Sequence, residues 1–173
     1  MSRGLGDVYK RQNRHYTVAE YEALIARLRS RINGLTVSTD LILGFPGETE
    51  ALFEDTMETL KRLNFSHIHA FPYSPRKGTP AATMEGQIDT AEKKRRVELV
   101  NELSARQKAA LLESLVGTNA LVLVETQEGT DGEGFTGNYE RVALSGLSEG
   151  ARGTVVSVAL VGTDGKKLLG KAL

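Results

Sequence analysis

Two stretches carry the residue types that chemistry needs, and both end in turn formers. The first is Ser38-Thr39-Asp40-Leu41-Ile42-Leu43-Gly44-Phe45-Pro46-Gly47-Glu48-Thr49-Glu50. Val37–Leu43 is an aliphatic and β-branched run broken by one carboxylate and stopped by Gly-Phe-Pro-Gly, the pattern of a buried strand bounded by a turn. Alternation puts Ser38, Asp40 and Ile42 on one face and Thr39, Leu41 and Leu43 on the other. A carboxylate in mid-strand is costly unless it is hydrogen-bonded or faces a polar lumen. Ser38 and Asp40 are therefore expected to look into a ligand cavity; the plainer alternative is an Asp paired with a neighbouring Arg. Gly44 and Gly47 would let a ligand lie against bare backbone. For Glu48 the plainer reading is an acidic first-turn residue that stabilises a helix.

The second stretch is Phe71-Pro72-Tyr73-Ser74-Pro75-Arg76-Lys77-Gly78-Thr79. Phe71 and Tyr73 alternate onto one face and could flank a flat ring such as adenine. Arg76 and Lys77 in the following turn could hold a carboxylate or phosphate. Core aromatics followed by a solvated basic turn are the plainer reading. His67 and His69 lie two apart and face the same way, but no third metal ligand is evident, so lumen or interface histidines are expected.

Composition bounds the rest. The 173 residues carry 22 Lys and Arg against 22 Asp and Glu, so any RNA or anion binding must come from local patches. There is no cysteine, which excludes disulfides, thiolate catalysis and any Cys-held zinc or iron–sulfur site within this chain. No apolar run approaches the roughly 20 residues that span a bilayer, and no signal peptide is visible; a cytoplasmic setting and no membrane partner are expected. Met1–Gln12 has no usable period, and Asp7–Gln12 resembles a translated sequencing adapter. Residues 1–12 are therefore set aside as an artefact, with Asn13 taken as the first natural residue of a chain cut at its N-terminus.

The elements that must position these residues follow in order. Thr17-Val18-Ala19-Glu20 is a capping box opening a helix with Tyr21, Leu24, Ile25 and Leu28 on one stripe, ending near Arg31–Gly34. After the first strand, Glu48–Leu63 is a helix with Leu52, Phe53, Met57, Leu60 and Leu63 inward, closed by Asn64. Phe65–Tyr73 is the second strand. Alternating helices and strands predict an α/β fold with parallel strands and right-handed crossovers, and ligands sit at the carboxyl end of such strands. Ala81–Ile88 is a loop, and Asp89 opens a long helix with Val97, Leu99, Val100, Leu103, Ala110, Leu111 and Leu115 inward, stopped by Gly117. Its Lys93-Lys94-Arg95-Arg96 run is expected to be a wet face, with contact to a phosphate backbone as the sharper alternative.

From Thr118 the texture changes. Ala120–Glu125, Phe135–Leu144, Thr154–Val161 and Lys166–Leu173 are β-rich runs between Gly, Asp and Ser clusters, predicting a small antiparallel barrel. Residues 13–116 and 117–173 are the two expected domains. Beyond Gly117 five basic residues face seven acidic ones, so charge alone does not make this part bind RNA. Phe135, Thr136, Asn138, Tyr139 and Arg141 do offer stacking and amide groups suited to single-stranded bases; a hairpin with ordinary cross-strand aromatics is the alternative.

Three motifs together resemble the radical S-adenosylmethionine methylthiotransferases that modify tRNA. They are Asn13-Arg14-His15-Tyr16-Thr17, Ser38-Thr39-Asp40-x-Ile42-x-Gly44-Phe45-Pro46-Gly47-Glu48-Thr49, and His69-x-Phe71-x-Tyr73-Ser74-x-Arg76-x-Gly78-Thr79-Pro80-Ala81. The tail resembles a TRAM domain through Gly134-Phe135-Thr136-Gly137-Asn138-Tyr139. Asn138-Tyr139 and His67-Ile68-His69-Ala70-Phe71 are most similar to the branch acting on threonylcarbamoyladenosine (MtaB-like). The isopentenyladenosine and ribosomal-protein branches are the alternatives, with a standalone RNA-binding module as a rival of another class.

The resemblance implies the C-terminal part of a radical S-adenosylmethionine partial (β/α) barrel followed by an RNA-binding β-barrel. It implies adenosylmethionine held by Ser38, Asp40, Ile42, Gly44, Phe45, Pro46, Gly47 and Glu48 on one strand and turn, and by Phe71, Tyr73 and Arg76 on the next. It implies [4Fe–4S] clusters whose cysteines lie upstream of Asn13, no catalytic or metal-ligating residue in this piece, and no activity without the N-terminal part of the polypeptide. The implied partner is the anticodon arm of tRNA.

Overall fold

The structure is a computed structural model and describes residues 16–173. Asn13, Arg14 and His15 of the first motif, and the adapter-like segment, lie outside the described residues. The chain divides into two compact units between Ser104 and Ala105.

The first unit alternates helix and strand. Helix α1 (Val18–Arg31) is opened by the expected capping box: Thr17 accepts from the Glu20 amide, and Glu20 accepts from the Thr17 amide. Strand β1 (Ser38–Leu43) leads through Gly44–Thr49 into α2 (Glu50–Leu63). Asn64 ends α2 in the left-handed region, φ 47, its amide donating to the Leu60 carbonyl. Strand β2 (His67–Pro72) then lies parallel to β1, with Ser38 opposite His67, Asp40 opposite His69 and Ile42 opposite Phe71. The Tyr73 amide donates to the Leu43 carbonyl and carries the pairing one step further, 2.7 Å.

A short 3₁₀ turn, Pro80–Ala82, interrupts the expected loop before α3 (Thr90–Leu115), whose first amides donate to the Asp89 carboxylate. One face of the two-stranded sheet is covered: Ile25, Leu43, Phe53, Leu60, Leu63, Phe65, Ile68, Val100 and Leu103 form the core there. The other face carries Ser38, Asp40, Ile42, His67, His69 and Phe71, all exposed.

The second unit is a closed barrel in the order β3-β4-β5-β7-β6. Its strands are β3 (Asn119–Glu128), β4 (Asp131–Thr136), β5 (Arg141–Ser145), β6 (Val155–Thr163) and β7 (Leu168–Ala172). Two corrections to the sequence reading arise here. The barrel is not purely antiparallel, because β5 and β7 pair in parallel and close it. The Phe135–Leu144 run is also not one strand: it breaks at Gly137–Glu140, and its first half joins the unanticipated Asp131-Gly-Glu-Gly segment.

Those glycines explain the strand. A Cβ on Gly132 would fall on the Thr126 carbonyl oxygen and one on Gly134 on the Leu123 carbonyl oxygen, so only glycine lets β4 approach β3 so closely. Inside, Val122, Val124, Val142, Leu144, Val158, Leu160 and Leu168 interdigitate with Leu112 of α3. The expected inward stripe of α3 is corrected at this end: Ala110 is exposed and Leu112 is fully buried. Among the described residues no helix is long and apolar enough to cross a membrane.

Candidate functional site

The two chemistry-bearing stretches come together at one end of one sheet, on adjacent parallel strands. Three cross-strand pairs, Ser38 with His67, Asp40 with His69 and Ile42 with Phe71, form a polar-to-apolar row along the uncovered face. The His67 and His69 rings meet edge to face, 4.2 Å between centroids. Parallel sheets normally have both faces covered, so a surface holding a carboxylate, two imidazoles and a half-exposed Phe71 has the character of a lumen wall. Among the described residues no group of three His, Asp or Glu side chains is placed to hold a metal ion.

The Gly44–Glu48 turn is enclosed. Phe45, Pro46 and Glu48 are buried, and the Gly47 amide donates to the Gly86 carbonyl at 2.9 Å. Gly44 has φ +72 and Gly47 φ +82, which favour glycine at both positions. Glu48 is not a first-turn helix residue, since Thr49 is the N-cap of α2. Its carboxylate instead accepts from the Gly44 amide (3.1 Å) and from the Arg96 guanidinium (2.6 Å), and Arg96 also donates to the Glu48 carbonyl (2.9 Å). The carboxylate thereby ties the end of β1 to α3.

That contact overturns the wet-face reading at Lys93 and Arg96, while Lys94 and Arg95 are exposed as expected. Arg96 is 3% exposed and Lys93 8%. Arg96 further engages Glu92 and Glu50, and Arg95 engages the same two carboxylates. Hydrogen bonds from Arg95 and Arg96 hold Glu92 down to about 2. For Arg96, burial opposes the charge, but the Glu92 and Glu48 carboxylates outweigh it and raise its pKa. A basic run offers no sequence signal for this, because the partners lie about 45 residues upstream; a four-residue helical step from Glu92 to Arg96 was the only local hint.

Tyr73 stands beside the turn. Its ring meets Phe45 edge-on at 5.2 Å between centroids and lies 5.2 Å from the Lys93 ammonium. Its hydroxyl is buried and, among the described residues, has no hydrogen-bond partner. Arg76 is exposed in the following turn, its carbonyl accepting from the Thr79 amide.

A second candidate surface lies on the outside of the barrel. Register places Val155, Leu123, Phe135 and Arg141 in one outward row across β6, β3, β4 and β5. Arg141 lies over the Phe135 ring at 5.5 Å. Leu121, Leu123, Glu125, Phe135, Thr136, Gly137, Tyr139 and Val155 line a groove of about 580 Å³. Tyr139 is 85% exposed and held at φ 60, uncommon for a bulky residue. The turn beneath it is tied by Thr136, whose hydroxyl accepts from the Asn138 and Glu140 amides. Lys108 of α3 and Glu140, in the turn between β4 and β5, form an ion pair with Glu140 2% exposed, an anchor that the sequence had offered only as one more acidic residue. Sequence reasoning also took Leu121, Leu123 and Val155 simply as parts of β-rich runs; they face outward.

No family model matches the chain. The curated proteins to which it is similar are tRNA methylthiotransferases. A tRNA-2-methylthio-N(6)-dimethylallyladenosine synthase of Moorella thermoacetica is 46% identical over 134 residues, 78% of this chain and 30% of that protein. A probable threonylcarbamoyladenosine tRNA methylthiotransferase of Methanocaldococcus jannaschii is 39% identical over 143 residues, 83% of this chain and 32% of that protein. The threonylcarbamoyladenosine tRNA methylthiotransferase MtaB of Bacillus subtilis is 37% identical over 166 residues, 91% and 36% respectively. The chain thus spans about a third of the length of the curated relatives it matches, and both substrate names occur among them.

Proposed function

We propose that this chain is the C-terminal portion of a tRNA methylthiotransferase acting on threonylcarbamoyladenosine beside the anticodon. In this reading residues 13–116 supply one wall of a radical S-adenosylmethionine partial barrel, and residues 117–173 form a TRAM-like RNA-binding barrel. The parallel pairing of β1 with β2 carries the reading, because it brings Ser38–Glu48 and Phe71–Arg76 to one strand end, alongside the similarity to tRNA methylthiotransferases.

The residues present fit adenosylmethionine in kind. Ile42 and Phe71 offer an exposed apolar pair for a base, Ser38 and Asp40 offer polar groups beside them, and the buried Tyr73 hydroxyl is in want of a partner. When bound to a reduced cluster, adenosylmethionine supplies a radical able to abstract hydrogen. This chain's own residues hold and orient: Glu48 and Arg96 fix the turn, while Phe45 and Tyr73 wall it. They do not fit a [4Fe–4S] cluster, because the 173 residues contain no cysteine thiolate. No step through a cluster is derived from them.

In the barrel, Phe135, Tyr139 and Arg141 would stack on single-stranded bases, with Thr136 and Asn138 reading their edges. The 46% identity to a dimethylallyladenosine-named relative favours the other adenosine as a second reading.

Binding measurements on the chain test both surfaces. Asn138→Ala with Tyr139→Ala should weaken binding of an anticodon stem-loop about tenfold or more and leave S-adenosylhomocysteine binding unchanged. Undiminished stem-loop binding would remove RNA from the barrel's role. Stem-loops carrying each modified adenosine, compared side by side, decide between the two substrates.

A further inference from the structure

We propose that Lys93 and Tyr73 form an oxyanion-binding site at the carboxyl end of β1 and β2. Lys93 sits in the first turn of α3, where the partial positive charge of the helix disfavours a cation. It is 8% exposed, and among the described residues no carboxylate pairs with it, since Glu48, Glu50 and Glu92 are engaged by Arg95 and Arg96. Three acids are shared by two arginines, so the charge of Lys93 balances the cluster in number but forms an ion pair with none of its carboxylates. Beside it, the buried Tyr73 hydroxyl has no partner among the described residues. The contact between the ammonium and the Tyr73 ring accounts for the ring but not for the hydroxyl.

Gly44 makes the arrangement possible, because a Cβ there would fall on the Cγ of Lys93. A cation in the disfavoured helix turn that pairs with no acid and an orphan hydroxyl stand together at one strand end. Such departures mark function. An ammonium only donates and a phenol hydroxyl can donate, so the group that satisfies both is a negatively charged acceptor: a carboxylate or a phosphate. The sources of such a group at this place are the amino-acid end of adenosylmethionine and the RNA backbone. The inference goes beyond the function proposed above, and only its second experimental arm rests on that reading.

The experiment follows the Lys side-chain and Tyr ring resonances of the 173-residue chain by NMR during titration with inorganic phosphate and with methionine at fixed ionic strength. Saturable shifts of the Lys93 and Tyr73 signals are expected. Lys93→Met should weaken binding about tenfold. Tyr73→Phe should weaken it several-fold while holding or raising the thermal midpoint, because it deletes an unsatisfied buried hydroxyl. No saturable shift with either anion, or undiminished binding by Lys93→Met, overturns the site.

In the second arm S-adenosylhomocysteine and a single-stranded oligonucleotide replace the simple anions. Loss of the first alone in Lys93→Met assigns the carboxylate, and loss of the second alone assigns the phosphate. Wild-type affinity of Lys93→Met for both overturns the site while leaving the cofactor reading intact. Phosphate shifts in a chain that does not bind S-adenosylhomocysteine would keep the site and discard the cofactor reading.

Discussion

Gly44 and Lys93 fit as socket and stem: the space a side chain on Gly44 would take is filled by the Lys93 Cγ. Gly44→Ala should therefore suffer twice, through φ +72 and through the clash. The backbone part alone amounts to about 1–3 kcal/mol. Adding Lys93→Ala should recover the steric part and leave only the backbone part, so the double variant should cost less than the sum of the singles. Urea unfolding of the four proteins measures this, and strict additivity would deny the contact.

Arg96 and Glu48 are each about one-twentieth exposed, so breaking the pair from one side should be severe. Arg96→Met strands the Glu48 carboxylate against a single backbone amide and should cost about 3–5 kcal/mol. Glu48→Gln should cost less, because its amide oxygen still accepts from Gly44 and Arg96 keeps Glu92 and Glu50. Chemical denaturation ranks the two, and the reverse order would show that the carboxylate rather than the guanidinium carries the tie.

The barrel anchor gives a local readout. Lys108→Met leaves the buried Glu140 without its cation and should cost about 1–3 kcal/mol, discounted because Lys108 is partly exposed. Amide exchange at Tyr139 and Glu140 should quicken more than in the rest of the barrel. Unaltered protection there would mean that Thr136 alone holds the turn.

Acid should act on the α3 cluster through Glu92. Its folded pKa, about 2, lies below the ordinary 4.5, because Arg95 and Arg96 hydrogen-bond the charged form. A depressed carboxyl contributes stability that is fully present above pH 4.5 and is lost as pH falls toward 2. In Glu92→Gln the stability curve should flatten across that window, and added salt should do the same in part, since the carboxylate is solvent-facing. Urea midpoints collected down the acid limb check it.

Local pattern sufficed where local physics decides. The Thr17 capping box, the Asn64 stop, the strand before Gly44 and the parallel order all follow from spacing and turn chemistry. It failed where contacts reach across the chain. Lys93 and Arg96 read as solvated because nothing adjacent shows that Gly44 leaves room for one stem or that Glu48 waits for the other guanidinium. The first half of β4, Asp131–Gly134, read as part of a turn cluster because Gly132 and Gly134 are poor strand formers, yet close approach to β3 demands them. Leu121, Leu123 and Val155 could not be placed outside until closure of the barrel fixed which alternate residues point in. At the candidate site, Ser38, Asp40 and Ile42 were legible as one face, and Phe71 joined them through register alone.

The parallel seam between β5 and β7 has a consequence for synthesis. Leu168–Ala172 must slot between two strands made earlier, so no subset of the barrel can seal before those residues have left the ribosome. Until then a nascent chain would carry the core residues Val142, Leu144 and Leu160 half-sheltered.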